Sequence, residues 1–482
     1  FIGGGDAGQN IVRQTLNFGS SVTIVAIIDD NPFKIGNNLH SVPILTAIDQ
    51  LPYLKLNYDE IFIAIPSASR KQLRRIVDIC KKTGRPFKTL PSMNELIKGS
   101  ISISQFREVS LIDLLGRKEV ELDKSSINNF IKEKRVLITG SGGSIGSELV
   151  RQCAKFKPSV LVLLDISELN LFQIEREILI KKYNIIIKPV LADIRDSEII
   201  ENVFREYRPQ VVFHAAAYKH VPMQEFFPSE AVKTNIVGTS NLADAAAAFK
   251  TEKFVLVSTD KAVRPTNVMG ATKRLAEMIV RNYNFEINDT EYMSVRFGNV
   301  LGSSGSVVPI FQDQIKNGGP VTVTDPNMER YFMSIPEASQ LILQAGSIGS
   351  GGEIFILDMG KPIKIIDIAN ELIRLSGFEP DVDIPIVITG TRPGEKKIEE
   401  LAHPNEKLDD TKHQKIFVLN DTDSLNGKNR NLVNNIKKLN DGINKKTKAE
   451  VVKNLIEILP EYKPNGLSNK NDYHNWVKED VG

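Results

Sequence analysis

The feature that most constrains the fold is a glycine-rich loop, Gly140-Ser-Gly-Gly-Ser-Ile-Gly146, which stands between a strand pattern and a helix pattern. The run Arg135–Thr139 before it predicts a buried strand, and Ser147–Lys155 after it predicts a helix. Glycines at this spacing permit a tight turn, a close approach of backbone to a pyrophosphate, and close packing of helix on strand. The free amides and the positive end of the helix dipole then hold the anion. The loop therefore predicts a dinucleotide-binding α/β unit.

An acidic residue follows at the distance that ribose binding requires. The strand pattern Val160–Leu164 ends in Asp165, close to the spacing of about 20 residues expected after Gly146. A carboxylate there accepts the ribose hydroxyls and repels a 2′-phosphate, and Ile166-Ser-Glu168 offers no arginine for one, so the expected cofactor is NAD. The residues expected to bind it are Gly140, Gly143, Ser144, Ile145, Gly146, Asp165, Ser167, Asp193 and Ile194.

Apolar runs alternate with helix patterns along most of the chain, which indicates parallel sheets covered by helices. At 482 residues the chain is too long for one core. We expect an α/β fold with two successive Rossmann-like parallel sheets: an N-terminal nucleotide-fold domain at 1–94 and a longer, full dinucleotide-binding domain at 134–420. A linker at 95–133 joins them, and 299–420 is the smaller, substrate-binding portion. The segment 421–482, rich in Asn, Lys and Asp, is expected to be surface helix and mobile tail.

A second copy of the loop opens the chain. Gly3-Gly-Gly-Asp-Ala-Gly8 is followed by Asp29 and Asp30 at the end of the next strand pattern. This unit has about half the strands of a full dinucleotide domain, and no catalytic constellation follows it. A bound nucleotide and a purely structural or regulatory sheet both stay open. The elements predicted in this unit are helices at Asn10–Phe18 and Arg70–Lys82, and strands at Val22–Ile28, at Ile61–Ile65 and near Phe87.

The charge balance and the cysteines narrow the class of protein. The 61 basic and 59 acidic residues leave a net charge of +2, which argues against a nucleic-acid binder. No stretch reaches the roughly 18 consecutive apolar residues of a membrane helix, so no membrane contact is expected of this chain itself. Cys80 and Cys153 lie far apart in predicted helices, and we expect free thiols in a reducing cytosol. No group of His, Cys and carboxylates has metal-ligand spacing, so no metal is predicted.

The residues that carry chemistry follow the strand pattern Phe254–Val257. It ends in Ser258-Thr-Asp-Lys261, at the carboxyl edge where parallel sheets collect their ligands. An adjacent carboxylate and amine shift each other's pKa, as acid–base catalysis requires; a solvated surface pair is the alternative. Met269 and Lys273 stand four residues apart, so both side chains share one helix face. His214, inside an apolar strand pattern, is expected to be a satisfied core histidine.

These segments resemble one enzyme family. Extended short-chain dehydrogenases place Ser or Thr at this strand end and a Tyr-x-x-x-Lys pair on the next helix; here Met269 takes the tyrosine position. The combination is similar to the long-form bacterial UDP-N-acetylglucosamine 4,6-dehydratases, the CapD-like polysaccharide biosynthesis proteins. Much of that long form has Met at this position, so Met269 marks a subfamily. The resemblance covers nearly the whole chain, including Ser110–Arg117, His214–Pro222, Arg296–Gly302 and Arg392–Glu395.

The resemblance implies removal of water from UDP-N-acetylglucosamine. Hydride leaves sugar C4 to NAD, a base takes the C5 proton, an acid protonates the C6 hydroxyl, and hydride returns to C6, giving a UDP-4-keto-6-deoxy sugar for surface polysaccharide or glycoprotein glycans. The family implies Asp260 as acid and Lys261 as base, and the residues alone leave exchanged roles open. A thioether cannot accept the C4 hydroxyl proton, so we hypothesise a relaying water near Thr259 or Asp260, aided by Lys273. The resemblance also implies that Lys273 holds the ribose hydroxyls of the cofactor and that Ala215, Ala216, Ala217 and Asn235 contact it. The substrate contacts implied are Lys219, His220, Asn299, Arg330, Arg392 and Glu395.

The resemblance also predicts the setting. Membrane-spanning helices precede the first glycine-rich unit in that family, which would account for the abrupt start at Phe1 and place the full protein at the cytoplasmic face of the bacterial inner membrane. Short-chain dehydrogenases usually pair through helices, so a homo-oligomer of two or more copies is expected. Two alternatives stay open. One is a UDP-sugar 4-epimerase, which needs no acid–base pair for water loss, and the other is a sugar-nucleotide sensor or scaffold that has lost catalysis.

Overall fold

The computed structural model describes residues 1–17, 22–90, 106–109, 113, 120–286, 289–403, 406–420 and 430–465. The chain divides into two compact units: Phe1–Glu119 with Asn370–Ile384, and Val120–Ala369 with Pro385–Gly482. The segment Ser110–Arg117, which carries part of the family resemblance, lies outside the described residues except for Asp113.

The first unit is a small α/β unit with a three-stranded sheet and a separate two-stranded antiparallel pair. Its strands are β1 (Asn38–Leu39), β2 (Val42–Pro43), β3 (Ile61–Ile63), β4 (Phe87–Thr89) and β5 (Arg107–Glu108). Its helices are α1 (Asp6–Asn17) and α2 (Arg70–Lys81), with a 3-10 turn at Ile48–Tyr53. β3 pairs in parallel with β4, and β4 pairs antiparallel with β5. Both predicted helices and the strands predicted near Ile61 and Phe87 are confirmed.

The strand predicted at Val22–Ile28 is wrong for most of its length. Only Ile27 and Ile28 form bridges within this segment. The Ile28 amide donates to the Phe1 carbonyl oxygen (2.8 Å), and Ile2 forms a parallel bridge with Ile28. Ile27 bridges Ile44 on its other side, and residues 22–26 form no strand in the structure.

The second unit is built on a large, mainly parallel sheet. In chain order its strands are β6 (Arg135–Thr139), β7 (Val160–Asp165), β8 (Ile186–Leu191), β9 (Val211–His214), β10 (Lys253–Val257), β11 (Glu291–Arg296), β12 (Asn299–Leu301), β13 (Val321–Val323), β14 (Glu329–Arg330), β15 (Phe332–Ser334), β16 (Ile354–Leu357), β17 (Ile363–Lys364), β18 (Ile386–Ile388), β19 (Lys407–Asp410) and β20 (Ile416–Asn420). Nine strands form one sheet in the order β19-β20-β16-β11-β10-β9-β6-β7-β8. Neighbours from β16 to β8 are parallel, and β20 and β19 add an antiparallel edge. Since β6 and β7 are consecutive and β9 lies on the other side of β6, the order reverses at β6.

Helices cover both faces of this sheet. Val136 and Ile138 point into one core cluster and Leu137 into the other, as alternation along a buried strand requires. This three-layer arrangement is the predicted Rossmann-like fold. The helices are α3 (Lys124–Ile131), α4 (Ser144–Lys155), α5 (Glu168–Ile180), α6 (Ser197–Tyr207), α7 (Val221–Phe226), α8 (Pro228–Ala231), α9 (Gly238–Ala248), α10 (Val268–Glu286), α11 (Val307–Lys316), α12 (Ile335–Ile348), α13 (Ile365–Leu375), α14 (Arg430–Asn440) and α15 (Lys448–Ile458), with a π-helical turn at Val232–Val237 and 3-10 turns at Asp260–Ala262 and Ile443–Lys445. Within the described ranges, none of the helices combines the length and the hydropathy needed to span a bilayer.

The predicted linker at 95–133 is wrong at its C-terminal end. Helix α3 buries Ile127 and Ile131 in the same core cluster as Val136 of β6. These apolar residues recur at helical spacing, so α3 belongs to the second unit, which begins at Val120.

The helix expected in the C-terminal tail is confirmed by α14 and α15, but the expectation that it lies only at the surface is wrong. Leu432 and Leu439 of α14 and Leu455 of α15 are buried in the core beside the sheet. The many Asn and Lys residues lie between these apolar positions, so average composition conceals an amphipathic pattern. The parts 421–429 and 466–482 lie outside the described residues.

Both cysteines lie in helices, as predicted. Cys80 of α2 and Cys153 of α4 are buried free thiols. Burial raises the pKa of the Cys80 thiol to about 12 and raises that of Cys153 as well. Thiols held protonated in this way are poor nucleophiles, so neither is a candidate for catalysis.

Candidate active site

The Gly140 loop borders a cavity at the carboxyl edge of the nine-stranded sheet. The cavity has a volume of about 270 Å³ and lies where the strand order reverses. Four strand ends, those of β6, β7, β8 and β9, contribute to its wall. The predicted cofactor residues that line it are Gly140, Gly143, Asp165, Ser167, Asp193, Ile194, Ala215, Ala216 and Ala217.

Close backbone contacts shape the loop. Gly140 has a φ of +65°, and a Cβ there would lie 2.8 Å from Ala216 Cα; a Cβ on Gly146 would lie 1.9 Å from the Gly140 carbonyl oxygen. Helix α4 begins at Ser144 rather than at the predicted Ser147, so Gly146 lies in its first turn. No described side chain caps this helix start. Its first N–H groups are therefore available to an anion.

Asp165 is fixed by two backbone amides. The Gly142 amide donates to Oδ2 and the Ser167 amide to Oδ1, each at 2.8 Å. The side chain is buried and lines the cavity. Within the described ranges no cation forms an ion pair with Asp165, so its charge is left for hydroxyl donors.

The cavity also contains a basic residue that sequence reasoning missed. Arg195 Nε donates to Asp193 Oδ2 (2.6 Å), and its Nη1 lies 2.7 Å from Glu230 Oε2. Burial alone would raise the pKa of Asp193, but the hydrogen bonds from Arg195 outweigh it and the pKa is lowered. Because two carboxylates share this guanidinium, it is a weak receptor for a 2′-phosphate.

The remaining predicted cofactor residues do not line the cavity. Ser144, Ile145 and Gly146 form the first turn of α4. Asn235 is buried; its Oδ1 accepts from the Tyr218 amide (2.9 Å), and its Nδ2 donates to Thr272 Oγ1 (3.0 Å). Asn235 thus braces Tyr218, which does line the cavity and which sequence reasoning missed.

Strand β10 ends in a buried ion pair. Asp260 Oδ1 accepts hydrogen bonds from Thr259 Oγ1 (2.9 Å) and Lys261 Nζ (3.0 Å). Asp260 is fully buried, and its Oδ2 has no hydrogen-bond partner in the part of the chain that the structure describes. Lys261 Nζ also donates to Asn299 Oδ1 (3.2 Å). The alternative of a solvated surface pair is therefore wrong.

A third charged group completes this cluster, and nothing in the sequence reasoning identified it. Glu399 is buried, with Oε1 3.7 Å from Lys261 Nζ. Burial would lower the pKa of Lys261, but the charges of Asp260 and Glu399 outweigh it and the pKa is raised. Burial raises the pKa of Glu399, and the charge of Asp260 adds to that rise. The site thus contains one ammonium between two carboxyl groups.

Met269 and Lys273 lie on α10, as predicted. Met269 is buried, and Lys273 Nζ donates to the Val257 carbonyl oxygen (2.8 Å) at the end of β10. Burial lowers the pKa of Lys273 to about 8, with Glu277 opposing the change. A fraction of Lys273 is therefore uncharged near neutral pH.

A buried ion pair underlies this strand end. Glu277 accepts from Arg296 Nε and Nη2, both at 2.7 Å, and from Ser258 Oγ at 2.6 Å. Burial would raise the pKa of Glu277, but Arg296 overcomes it and the pKa is lowered. The pair fixes Ser258, and with it the start of the segment that carries Asp260.

The predicted substrate residues fall into three places. Lys219 and His220 are exposed beyond the end of β9. Asn299 contacts Lys261. Arg330 is buried and donates to the carbonyl oxygens of Lys396 (2.7 Å) and Lys397 (3.0 Å), and its Nη2 lies 3.6 Å from Glu395 Oε1. Glu395 Oε2 accepts from the Arg392 amide (3.1 Å). Arg330, Arg392 and Glu395 thus share one cluster, in which Arg330 holds the segment leading to Glu399.

His214 is the satisfied core histidine that the sequence predicts. Its Nδ1 lies 2.8 Å from Thr139 Oγ1 and its Nε2 lies 2.9 Å from Thr239 Oγ1. Burial lowers the pKa of His214 to about 3. Both ring nitrogens of this neutral imidazole are hydrogen-bonded, so neither is left to exchange a proton with a substrate.

Comparison with known proteins places the chain in a family. The family model described as polysaccharide biosynthesis protein matches residues 136–421. The capsular polysaccharide biosynthesis protein CapD of Staphylococcus aureus is 44% identical over 422 residues, which cover 86% of this chain and 70% of CapD. The probable polysaccharide biosynthesis protein EpsC of Bacillus subtilis is 48% identical, over 84% of this chain and 68% of EpsC.

A solved structure is also similar. The X-ray structure of Pen from Bacillus thuringiensis is 38% identical, covers 60% of this chain and 88% of Pen, and superposes with a TM-score of 0.56. The Rossmann-like fold, the glycine-rich loop where the strand order reverses and the similarity to these relatives all support one assignment. The chain belongs to the polysaccharide biosynthesis protein family and has the fold of the extended short-chain dehydrogenases/reductases.

Proposed function

We propose that this protein is an NAD-dependent 4,6-dehydratase that acts on UDP-N-acetylglucosamine. The observation that carries the proposal is the buried Asp260–Lys261 pair at the end of β10, on the same sheet edge as the dinucleotide cavity. Burying an ion pair costs free energy, and a sugar dehydration needs both an acid and a base at one place. Membership of the polysaccharide biosynthesis family supports a nucleotide sugar as substrate.

The residues of the cavity fit NAD. The uncapped start of α4 offers N–H groups to a pyrophosphate, and Gly143 at its N-cap lines the cavity. Asp165 offers a carboxylate to the ribose hydroxyls. When bound, NAD supplies reversible hydride transfer with the sugar.

The pair supplies the chemistry of water loss. Oxidation at C4 makes a ketone that acidifies the C5 hydrogen. Lys261, as the free amine, takes that proton, and Asp260, as the carboxylic acid, protonates the C6 hydroxyl so that water leaves. The ammonium–carboxylate form of the pair differs from this working form by one proton, moved over the 3.0 Å between Lys261 Nζ and Asp260 Oδ1.

The first step must proceed without a tyrosine. Met269 is buried and cannot accept the C4 hydroxyl proton. We propose a water held by Thr259 as the relay, with Lys273 providing charge stabilisation. The lowered pKa of Lys273, about 8, supports a second contribution, since its amine form can receive the relayed proton.

One incubation tests the proposal. UDP-N-acetylglucosamine is mixed with the protein and NAD in D₂O and followed by NMR, with Lys261→Gln as the matched control. We expect a 4-keto-6-deoxy product with solvent deuterium at C5 from the wild type and none from the variant. A C4 epimer without deuterium at C5 would favour the 4-epimerase alternative. Unchanged substrate that nevertheless binds would favour a sensor or scaffold.

A further inference from the structure

The cluster of Asp260, Lys261 and Glu399 contains two carboxyl groups but only one amine. Asp260 and Glu399 are both buried carboxyl groups, and Lys261 is the only ammonium within 4 Å of either among the described residues. Asp260 Oδ2 and Glu399 Oε2 are each buried without a hydrogen-bond partner in the described part of the chain. An unpaired buried carboxylate costs several kcal/mol, so one further proton in the cluster relieves the imbalance.

We propose that Glu399 carries this proton and is a positioning residue that sets the charge state of Lys261. The inference rests on the proposed dehydration. When Glu399 is ionised, two carboxylates hold Lys261 as ammonium, which is no base. When Glu399 is protonated, only Asp260 remains, and one proton can move from Lys261 Nζ to Asp260 Oδ1. That single transfer breaks an N–H bond, forms an O–H bond and generates both the free amine and the carboxylic acid.

The groups around Glu399 support this assignment. The charged groups that face it are Lys261, Asp260, Arg330 and Lys396. Arg330 already donates to carbonyl oxygens, and Lys396 Nζ donates to the Val263 carbonyl oxygen (2.8 Å). Burial lowers the pKa of Lys396. These cations are committed elsewhere, and burial remains the largest influence, so the pKa of Glu399 is raised.

The sign of the pH dependence follows. A carboxyl group with a raised pKa remains protonated to a higher pH than an ordinary glutamate. Turnover is therefore highest below the pKa of Glu399 and falls as pH rises through it. Glu399→Gln has the shape of the protonated acid and cannot ionise. We expect the kcat of Glu399→Gln to lie within threefold of wild type at the acid end of the profile. Above the pKa of Glu399, the ratio of the variant's kcat to that of wild type should rise by up to tenfold per pH unit.

The matched control is the adjacent Glu400. Its carboxylate pairs with Arg264, with Arg264 Nε donating to Oε2 (2.9 Å), outside the cluster. Glu400→Gln should leave the pH profile unchanged. Glu399→Asp keeps a titrating group and should retain the alkaline fall. Thermal melting of all three variants in the full 482-residue chain identifies any that fail to fold.

An independent readout separates this inference from the proposed function. Infrared difference spectra of the NAD-loaded protein, taken between the acid and the alkaline ends of the pH profile, should contain a carboxyl carbonyl band in wild type and Glu400→Gln that is missing from the spectrum of Glu399→Gln. The same band in Glu399→Gln, or a pH profile that the variant leaves unmoved, would overturn the assignment. If the band behaves as expected but wild type forms no keto sugar, the dehydratase proposal fails and the protonation of Glu399 stands.

Discussion

The two glycine-rich loops of this chain share a construction down to individual hydrogen bonds. In the first unit the Gly4 amide donates to Asp29 Oδ2 (2.7 Å) and the Asn31 amide to Asp29 Oδ1 (2.8 Å). Asp165 of the second unit receives the same two bonds, from the amide of a loop glycine and from the amide two residues after the aspartate, each at 2.8 Å. The helix after each loop packs equally closely: a Cβ on Gly8 would lie 2.1 Å from a loop carbonyl oxygen.

The two units differ in what surrounds that construction. Asp29 pairs with Lys34 (3.2 Å), whereas Asp165 has no cation beside it in the described ranges. The first unit also has a cavity at its loop, of about 480 Å³. Its strand β3 is followed by Ala64-Ile-Pro-Ser67, whereas β10 is followed by Ser258-Thr-Asp-Lys261. Both units thus share the glycine-rich loop and its aspartate as part of the fold. We infer that catalysis depends on the side chains at the end of a neighbouring strand.

The largest expected effect tests whether the side chains at the end of β10 are the catalytic groups. Asp260→Asn removes the acid of the proposed dehydration while keeping the shape of the side chain. General acid–base groups contribute roughly 10²- to 10⁴-fold, so we expect kcat for keto-sugar formation to fall about 10³-fold with NAD content unchanged. Ser67→Ala makes an equally small change at the strand end of the first unit and should be silent. Equal losses from both variants would contradict the division of roles.

The next effect separates the two aspartates. Asp165→Asn weakens charge-assisted hydrogen bonds to ribose, worth about 1.5–3 kcal/mol, so we expect NAD affinity for turnover to fall roughly 10- to 100-fold. Asp29→Asn alters the matching residue of the first loop and should leave that affinity unchanged. Titration of turnover with NAD measures both. A comparable loss from Asp29→Asn would mean that the first unit takes part in cofactor use.

The elements that the sequence predicts share one property: residues close together along the chain are enough to identify them. Strand β6 was predicted at its observed bounds, and Asp165 follows from its spacing to the loop. Helix is predicted for the C-terminal segment, but its packing into the core is not, because apolar residues such as Leu432 and Leu455 are diluted by polar neighbours. Periodicity, rather than average composition, would have found them.

The site was predictable to the same extent. Asp260 and Lys261 are adjacent in sequence, so a strand-end pattern locates both. Glu399 reaches Lys261 only because a bridge between Glu329 and Ile398 and the hydrogen bonds of Arg330 position its segment. No spacing rule connects residues so far apart along the chain, and Glu399 is one of many acidic residues in the sequence. Tertiary contacts therefore decide this part of the site.

The free energy of unfolding tests what it costs the second unit to bury the charged amine of Lys273. The folded pKa of Lys273, about 8, lies below its ordinary value of 10.5 because of burial. Below pH 8 the folded state must therefore bury a charge, and this penalty fades as pH rises toward 10.5. Each pKa unit corresponds to about 1.36 kcal/mol. Lys273→Met removes the penalty and loses one hydrogen bond worth about 1 kcal/mol, so we expect a net stabilisation of roughly 2 kcal/mol at pH 7.

Urea unfolding at pH 7 and at pH 10.5 measures this effect. The advantage of Lys273→Met should disappear at the higher pH, where wild type buries a neutral amine. Lys71 of the first unit is exposed on α2, and Lys71→Met should give no pH-dependent difference. A stabilisation that is the same at both pH values would show that packing, rather than charge, is responsible.

The smallest expected effect concerns the hydroxyl of Thr259, the residue before Asp260 at the strand end of the second unit. In the structure this hydroxyl donates to Asp260 Oδ1 (2.9 Å), so Thr259→Val loses both this bond and the proposed water contact. A water-mediated contact contributes little more than an ordinary hydrogen bond, and we expect kcat to fall about 3- to 10-fold. Thr259→Ser keeps the hydroxyl and should restore turnover. A primary isotope effect from deuterium at sugar C4 should increase in Thr259→Val, because the relay serves only the oxidation step. An unchanged isotope effect with reduced kcat would place the role of Thr259 in orienting Asp260 and would leave the C4 proton to Lys273.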